Sequence, residues 1–199
     1  MQCRIVWSDV QMRFAMTGSW KKIECDELLS AAEPARIAQM RTHGLLPVTA
    51  KDEYKNGHGS MRIKLAGLIT LQNSRGREMD QSGLVTILSE CLLLPSCALQ
   101  PYIWWKETGE NNATAIIRYN ETEAEGIFHF NDRDEFTAFE TCDRWQSQKN
   151  GSFARTPWKV TAADYIDDGG LRRPRTTAAS WLTNGQWWEY FNGNIAGIR

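Results

Sequence analysis

Residues 83–105, GLVTILSECLLLPSCALQPYIWW, form the longest mainly apolar run in an otherwise polar chain. Leu84, Leu88, Cys91 and Leu92 fall at helical spacing, while Ser82, Thr86, Ser89 and Glu90 line the other side. That periodicity predicts an amphipathic helix over residues 80–94, capped by Asp80 and Ser82 and stopped by Pro95. After Pro101 the pattern changes to Tyr102, Ile103, Trp104 and Trp105, aromatic and β-branched residues that suit a buried strand.

On both sides of this run the chain reads as short strands. Before it, alternating segments cover residues 2–10, 11–16, 20–29, 34–41, 45–54 and 61–66, with residues 68–72 prolonging the last of these. Asn56-Gly57 is the sharpest hairpin signal among them, because both residues tolerate positive φ. After it, strands fall at residues 102–106, 113–119, 126–130, 136–142, 153–160, 177–182 and 186–191, and a weak last one covers residues 195–198. Asn150-Gly151, Asp167-Asp168-Gly169-Gly170 and Asn184-Gly185 punctuate the final third. The predicted class is α+β, mostly antiparallel β. A strongly curved sheet or half-barrel of about ten strands carries one main helix, residues 80–94, on its concave face. No linker or repeat divides the chain, so residues 1–199 are expected to form one domain.

Composition narrows the function classes. The 23 Lys and Arg nearly balance 24 Asp and Glu, giving a net charge of −1 and no global field to hold nucleic acid. Nine Trp, seven Phe and five Tyr supply aromatic surface for a wide core or a lined cavity. Cys3, Cys25, Cys91, Cys97 and Cys142 include no CxxC pair, which points to free thiols rather than a disulfide framework or a zinc site. No run of about 18 apolar residues is present, and the start MQCRIVWSD lacks the pattern of a signal peptide. The expected location is cytoplasmic if the chain is complete, and membrane-associated or in the cell envelope if it is an excised domain.

Several strings, taken in order, carry a resemblance. They are DEYKNGHGSM at residues 52–61 with Lys64-Leu65, Ser89-Glu90-Cys91 with Pro95, Ile103-Trp104-Trp105, Asp143-Arg144, and Thr156-Pro157-Trp158 with Asp164-Tyr165, Gly170, Arg173-Pro174 and Trp181. From Trp20 to Ile198 this order resembles a family of uncharacterised bacterial proteins, a domain of unknown function that often follows membrane helices. The resemblance implies no catalytic residues. A curved antiparallel sheet clasping a helix is also similar to the fold of bacterial lipoprotein-localisation factors, which hold acyl chains in the concave face. That likeness raises the expectation of a lipid or other hydrophobic ligand.

No motif names a chemistry, and no cofactor or metal is expected. His43, His58 and His129 lack metal-ligand spacing, and neither a GxSxG elbow nor a phosphate loop occurs. The leading expectation is a non-enzymatic binding domain whose ligand contacts come from Tyr54, Glu90, Trp104, Trp105, Phe128, Phe130, Arg144 and Trp158. Glu90, beside an apolar run, calls for a partner, and Arg144 is a candidate. Asp52 and Tyr54 beside the Asn-Gly turn serve either that turn or a ligand. One alternative is an enzyme using Glu90, His129 or Asp143. Another is a protein-interaction module, which predicts an exposed apolar patch or a free sheet edge. The basic run at residues 171–175 reads as a solvated loop.

Overall fold

Asn56 and Gly57 take φ of 55° and 85°, the left-handed pair that a two-residue hairpin requires. The computed structural model describes residues 2–148 and 150–199. Its first six strands are β1 (Gln2–Met12), β2 (Lys21–Ser30), β3 (Ala35–Thr42), β4 (Val48–Lys55), β5 (His58–Leu65) and β6 (Ile69–Arg75), each pairing antiparallel with the next. The last of these corrects the expectation that residues 68–72 prolong the strand before them. Ala66 and Gly67 take φ of 51° and 73°, and β6 folds back on β5.

Helix α1 (Arg77–Glu90) follows, then a 3-10 turn (Cys91–Leu93) and the short α2 (Pro95–Ala98). The helix starts three residues before Asp80, and Gly76 occupies its N-cap position with no side-chain cap. Asp80 and Ser82 tie the helix to its surroundings instead. Asp80 Oδ1 accepts the Gly59 amide at 2.7 Å, and Ser82 Oγ accepts the Trp145 amide at 3.0 Å. Pro95 opens α2 at its first position, where a missing N–H leaves no bond unmade. The amphipathic expectation also fails, since Ser82, Thr86 and Ser89 are as buried as Leu84 and Leu88. Their hydroxyls can enter the interior because each finds a partner there: Ser82 Oγ takes the Trp145 amide, while Thr86 Oγ1 donates to Ser82 O at 3.0 Å and Ser89 Oγ to Thr86 O at 2.8 Å within the helix.

The remaining strands are β7 (Ile103–Gly109), β8 (Asn112–Tyr119), β9 (Thr122–Phe130), β10 (Phe136–Thr141), β11 (Trp145–Ser147), β12 (Phe153–Arg155), β13 (Trp158–Ala163), β14 (Ile166–Asp168), β15 (Leu171–Arg173), β16 (Thr176–Thr183) and β17 (Gln186–Ile198). The single strand expected over residues 153–160 is divided near Pro157, which has no N–H for a ladder. Its first part forms a ribbon, β11-β12, and its second joins the main sheet. The weak last strand is the end of β17.

The main sheet has thirteen strands rather than about ten, in the order β6-β5-β4-β3-β2-β1-β17-β16-β13-β10-β9-β8-β7, antiparallel throughout. Residues from both ends of the chain meet at its centre, where Ile5 pairs with Ile198. Twist accumulated over so many strands curls the sheet into a half-barrel. Its far parts approach each other: Asn120, in the β8-β9 turn, donates to Asn56 O in the β4-β5 turn at 3.1 Å. Helix α1 touches β4 and β5 from one half and β8 and β9 from the other. Leu84, Val85, Ile87 and Leu88 join Phe128, Phe139 and Trp158 in the core, each large side chain contributing about 1.5–3 kcal/mol by leaving water. Among the described residues, no helix is long and apolar enough to cross a membrane.

Candidate functional site

The C-terminal half of α1 and strands from β1 to β5, β10, β13, β16 and β17 line a cavity of about 140 Å³. Three of the expected ligand contacts, Glu90, Arg144 and Trp158, line it, as does Asp52. Most of the remaining wall is apolar, including Leu93, Phe136, Val160 and Phe191.

The other expected contacts lie elsewhere. Tyr54 is buried with its ring against Gly83 of α1, where a Cβ would meet Tyr54 Cδ2 at 2.7 Å. Its hydroxyl has no partner among the described residues, and burial raises its pKa. Trp104, 47% exposed, lies on the edge strand β7 beneath the Arg118 guanidinium at 5.3 Å. Trp105 donates from Nε1 to Ala98 O at 2.8 Å and packs on Phe128 at 5.2 Å. Phe128 is fully buried against Phe136 and Phe139, and half-buried Phe130 packs on the same core.

Glu90 has the cationic partner its position calls for, but the partner is Arg36 rather than Arg144. Arg36 Nε lies 2.8 Å from Glu90 Oε2 and 2.6 Å from Glu27 Oε1, and Nη1 lies 2.9 Å from Asp52 Oδ2. Sheet register assembles the cluster. Glu27 of β2, Ala38 of β3 and Asp52 of β4 form one cross-strand row, and Arg36 stands two residues from Ala38 on the same face. Trp7 Nε1 donates to Glu27 Oε2 at 2.8 Å, completing a group in which Glu27 is 1% exposed.

Arg36 Nε carries one hydrogen and faces two carboxyl groups. That hydrogen goes to Glu90, and Glu27 Oε1 receives no conventional hydrogen bond from another described side chain. Burial, reinforced by the neighbouring Glu27 carboxylate, holds the Glu90 pKa well above its ordinary value despite Arg36. Burial works against the Arg36 charge, but Glu27, Glu90 and Asp52 outweigh it and raise its pKa.

Arg144 makes no ion pair among the described residues. One terminal nitrogen, Nη1, donates to Ser82 O at 3.0 Å and to Thr86 Oγ1. The guanidinium carbon lies 4.2 Å from the Trp158 ring centre and 5.8 Å from that of Trp181. Such stacking orients the cation without neutralising it.

The trio of the enzymatic alternative is not brought together. Glu90 belongs to the Arg36 cluster. His129 sits in β9 with Nε2 buried and without a partner among the described residues, while Asp143 accepts the Glu125 amide at 2.9 Å and pairs with Arg155 at 3.4 Å. His43 and His58 lie at the surface, 3.9 Å from Glu24 and 3.7 Å from Asp80. The basic run is not a solvated loop: buried Arg173 bonds Asp168 at 2.8 Å and Ile195 O at 2.9 Å, and Arg172 pairs with Glu135 at 2.6 Å. All five cysteines are free thiols, and no metal-holding group of His, Cys, Asp or Glu occurs among the described residues.

Trp7, Glu27 and Arg36 had no distinguishing signal in the sequence. Each is one polar or aromatic position in an alternating strand, and only the pairing of β1, β2, β3 and β4 aligns them.

The fold has a solved counterpart. A crystal structure described as a candidate outer membrane lipoprotein-sorting protein domain from Vibrio parahaemolyticus superposes with a TM-score of 0.53, covering 100% of this chain and 84% of that one at 11% identity. No curated protein matches the chain in sequence. The sequence profile of a family of unknown function, DUF6544, matches residues 1–193, extending the resemblance back through the first strand. The chain therefore belongs to the DUF6544 family, whose function is not established.

Proposed function

We propose that this protein is a non-enzymatic binding domain that holds a lipid-like or other hydrophobic ligand between the concave face of its sheet and α1, the chain acting as one domain. The observation that carries the reading is the cavity of about 140 Å³, whose apolar wall is broken by a few grouped polar side chains. Its volume is close to that of an apolar cavity of about 150 Å³ able to admit benzene. A ring or a short stretch of acyl chain fits as the walls stand. The likeness to a domain described as lipoprotein-sorting supports the same class of ligand by fold alone.

Native mass spectrometry of the purified protein, followed by organic extraction, tests the reading. A bound mass that leaves on extraction and is identified as an apolar or amphiphilic molecule is the expected result. Repeated preparations without bound mass, together with no uptake of added apolar probes, would count against it.

A second reading, a protein-interaction module, draws on a different surface. Leu45, Leu46, Leu68 and Ile69 are exposed, Leu45 at 97%, where the β3-β4 and β5-β6 connections meet through the Ala66 amide and Pro47 O at 2.7 Å. Light scattering tests self-association through this surface. A monomeric mass at all concentrations removes a second copy as its occupant.

A further inference from the structure

We infer that Arg144 is the headgroup receptor of the cavity and binds the oxyanion of an anionic amphiphile, a carboxylate or phosphate borne on an apolar chain. The inference rests on the ligand-binding reading above and specifies the ligand's polar end.

Donor accounting carries the argument. A guanidinium has five N–H donors, and its Nε–Nη2 edge can grip an oxyanion with two parallel bonds. Among the described residues, Arg144 is engaged through Nη1 alone, by Ser82 O and Thr86 Oγ1. Nε is buried without an acceptor, and Nη2 has none among the described residues. The edge suited to bidentate capture is therefore the unoccupied one. Trp158 and Trp181 hold the plane of the group, and the two bonds to α1 restrain its rotation.

Charge points the same way. A partly buried cation without a carboxylate is expensive unless an anion arrives. Asp143, its neighbour in sequence, is committed to the Glu125 amide and Arg155. The acidic groups lining the cavity are committed to Arg36, and Thr86 lies one helical turn, about 6 Å along the axis, before Glu90. From Arg144 the apolar wall of Phe136, Val160, Ala179 and Phe191 offers a path for the chain.

Tryptophan fluorescence titrations with octanoate, octyl phosphate and 1-octanol separate headgroup from tail. The wild type is expected to bind at least one anion about tenfold or more tightly than octanol, the size expected for charge-assisted hydrogen bonds. Arg144→Met should bring the ratio of anion to octanol affinity down to about one, and Arg144→Lys should retain only part of the wild-type ratio. Both anions carry the inferred chemistry, and the tighter one assigns the headgroup as carboxylate or phosphate. Equal affinity for all three probes in the wild type, or an anion preference that survives in Arg144→Met, overturns the inference while the apolar cavity stands. Absence of binding by every probe overturns the ligand-binding reading as well. Circular dichroism establishes whether Arg144→Met folds; if it does not, the wild-type ranking and Arg144→Lys decide the question.

Discussion

Gly59 of β5 and Met79 of α1 meet backbone to backbone: a Cβ at Gly59 would lie 2.0 Å from the Met79 carbonyl oxygen. The Gly59 amide also donates to Asp80 Oδ1 at 2.7 Å, so one residue provides both close approach and a tether. Because the obstacle is backbone, Gly59→Ala should destabilise the protein by about 2–3 kcal/mol, in the upper range for overpacking. Urea denaturation measures the change. A loss below about 0.5 kcal/mol would show that helix and strand can separate freely.

The Arg36 cluster supports a mutational prediction. Removing its cation as Arg36→Met leaves Glu27 and Asp52 without their partner, and the expected loss at neutral pH is about 3–5 kcal/mol. Urea denaturation of wild type and variant at pH 7 measures the loss, and a change below about 1 kcal/mol would contradict a buried charged cluster.

Glu90 supplies a pH signature of its own. Its folded-state pKa is raised, so its stabilising contribution is complete below the unfolded value, near 4.5, and is lost as pH rises through the folded value. Glu90→Gln has no such titration. The stability of Glu90→Gln relative to wild type should therefore rise with pH above about 4.5, by at most about 1.4 kcal/mol per pH unit. A difference that stays constant between pH 4 and pH 8 would mean that Glu90 is ionised in the fold.

Thiol labelling discriminates surface from interior. Cys142 is exposed, whereas Cys3, Cys91 and Cys97 are buried and Cys25 is half-buried. Burial, with help from Glu27, pushes the Cys3 thiol up to about 11, and burial also raises the Cys25 pKa. A brief maleimide pulse at pH 7 followed by mass spectrometry should add one label, and Cys142→Ser should abolish it. Rapid labelling at several cysteines would contradict the packing around α1.

Much of the fold was legible because local chemistry specified it. Asn56-Gly57 announced its hairpin, and the meander from Ile103 to Thr141 followed from alternation and turn residues. The β5-β6 turn was hidden because Ala66, an ordinary residue, shares the left-handed backbone with Gly67. The burial of Ser82, Thr86 and Ser89 was hidden as well, since the Thr86 and Ser89 hydroxyls are satisfied within the helix and that of Ser82 by the distant Trp145 amide.

The site was legible only in part. Glu90 could be recognised as a carboxyl in need of a cation, but the choice of Arg36 depends on β2-β3-β4 register, which pairs residues far apart in sequence. Trp7 and Phe191 meet at 5.5 Å across the β1-β17 pairing, a contact that no local pattern encodes. Trp104 and Trp105 drew attention as a doublet, yet their strand lies at the sheet edge.

The most direct test of ligand binding beside α1 follows the tryptophan indole N–H signals by nuclear magnetic resonance during titration with 1-octanol. Trp7 and Trp158 line the cavity, while Trp104, Trp105 and Trp145 do not. The predicted result is saturable movement of the Trp7 and Trp158 signals with the other three unchanged. Movement confined to Trp104 and Trp105, or no movement at all, would contradict the account.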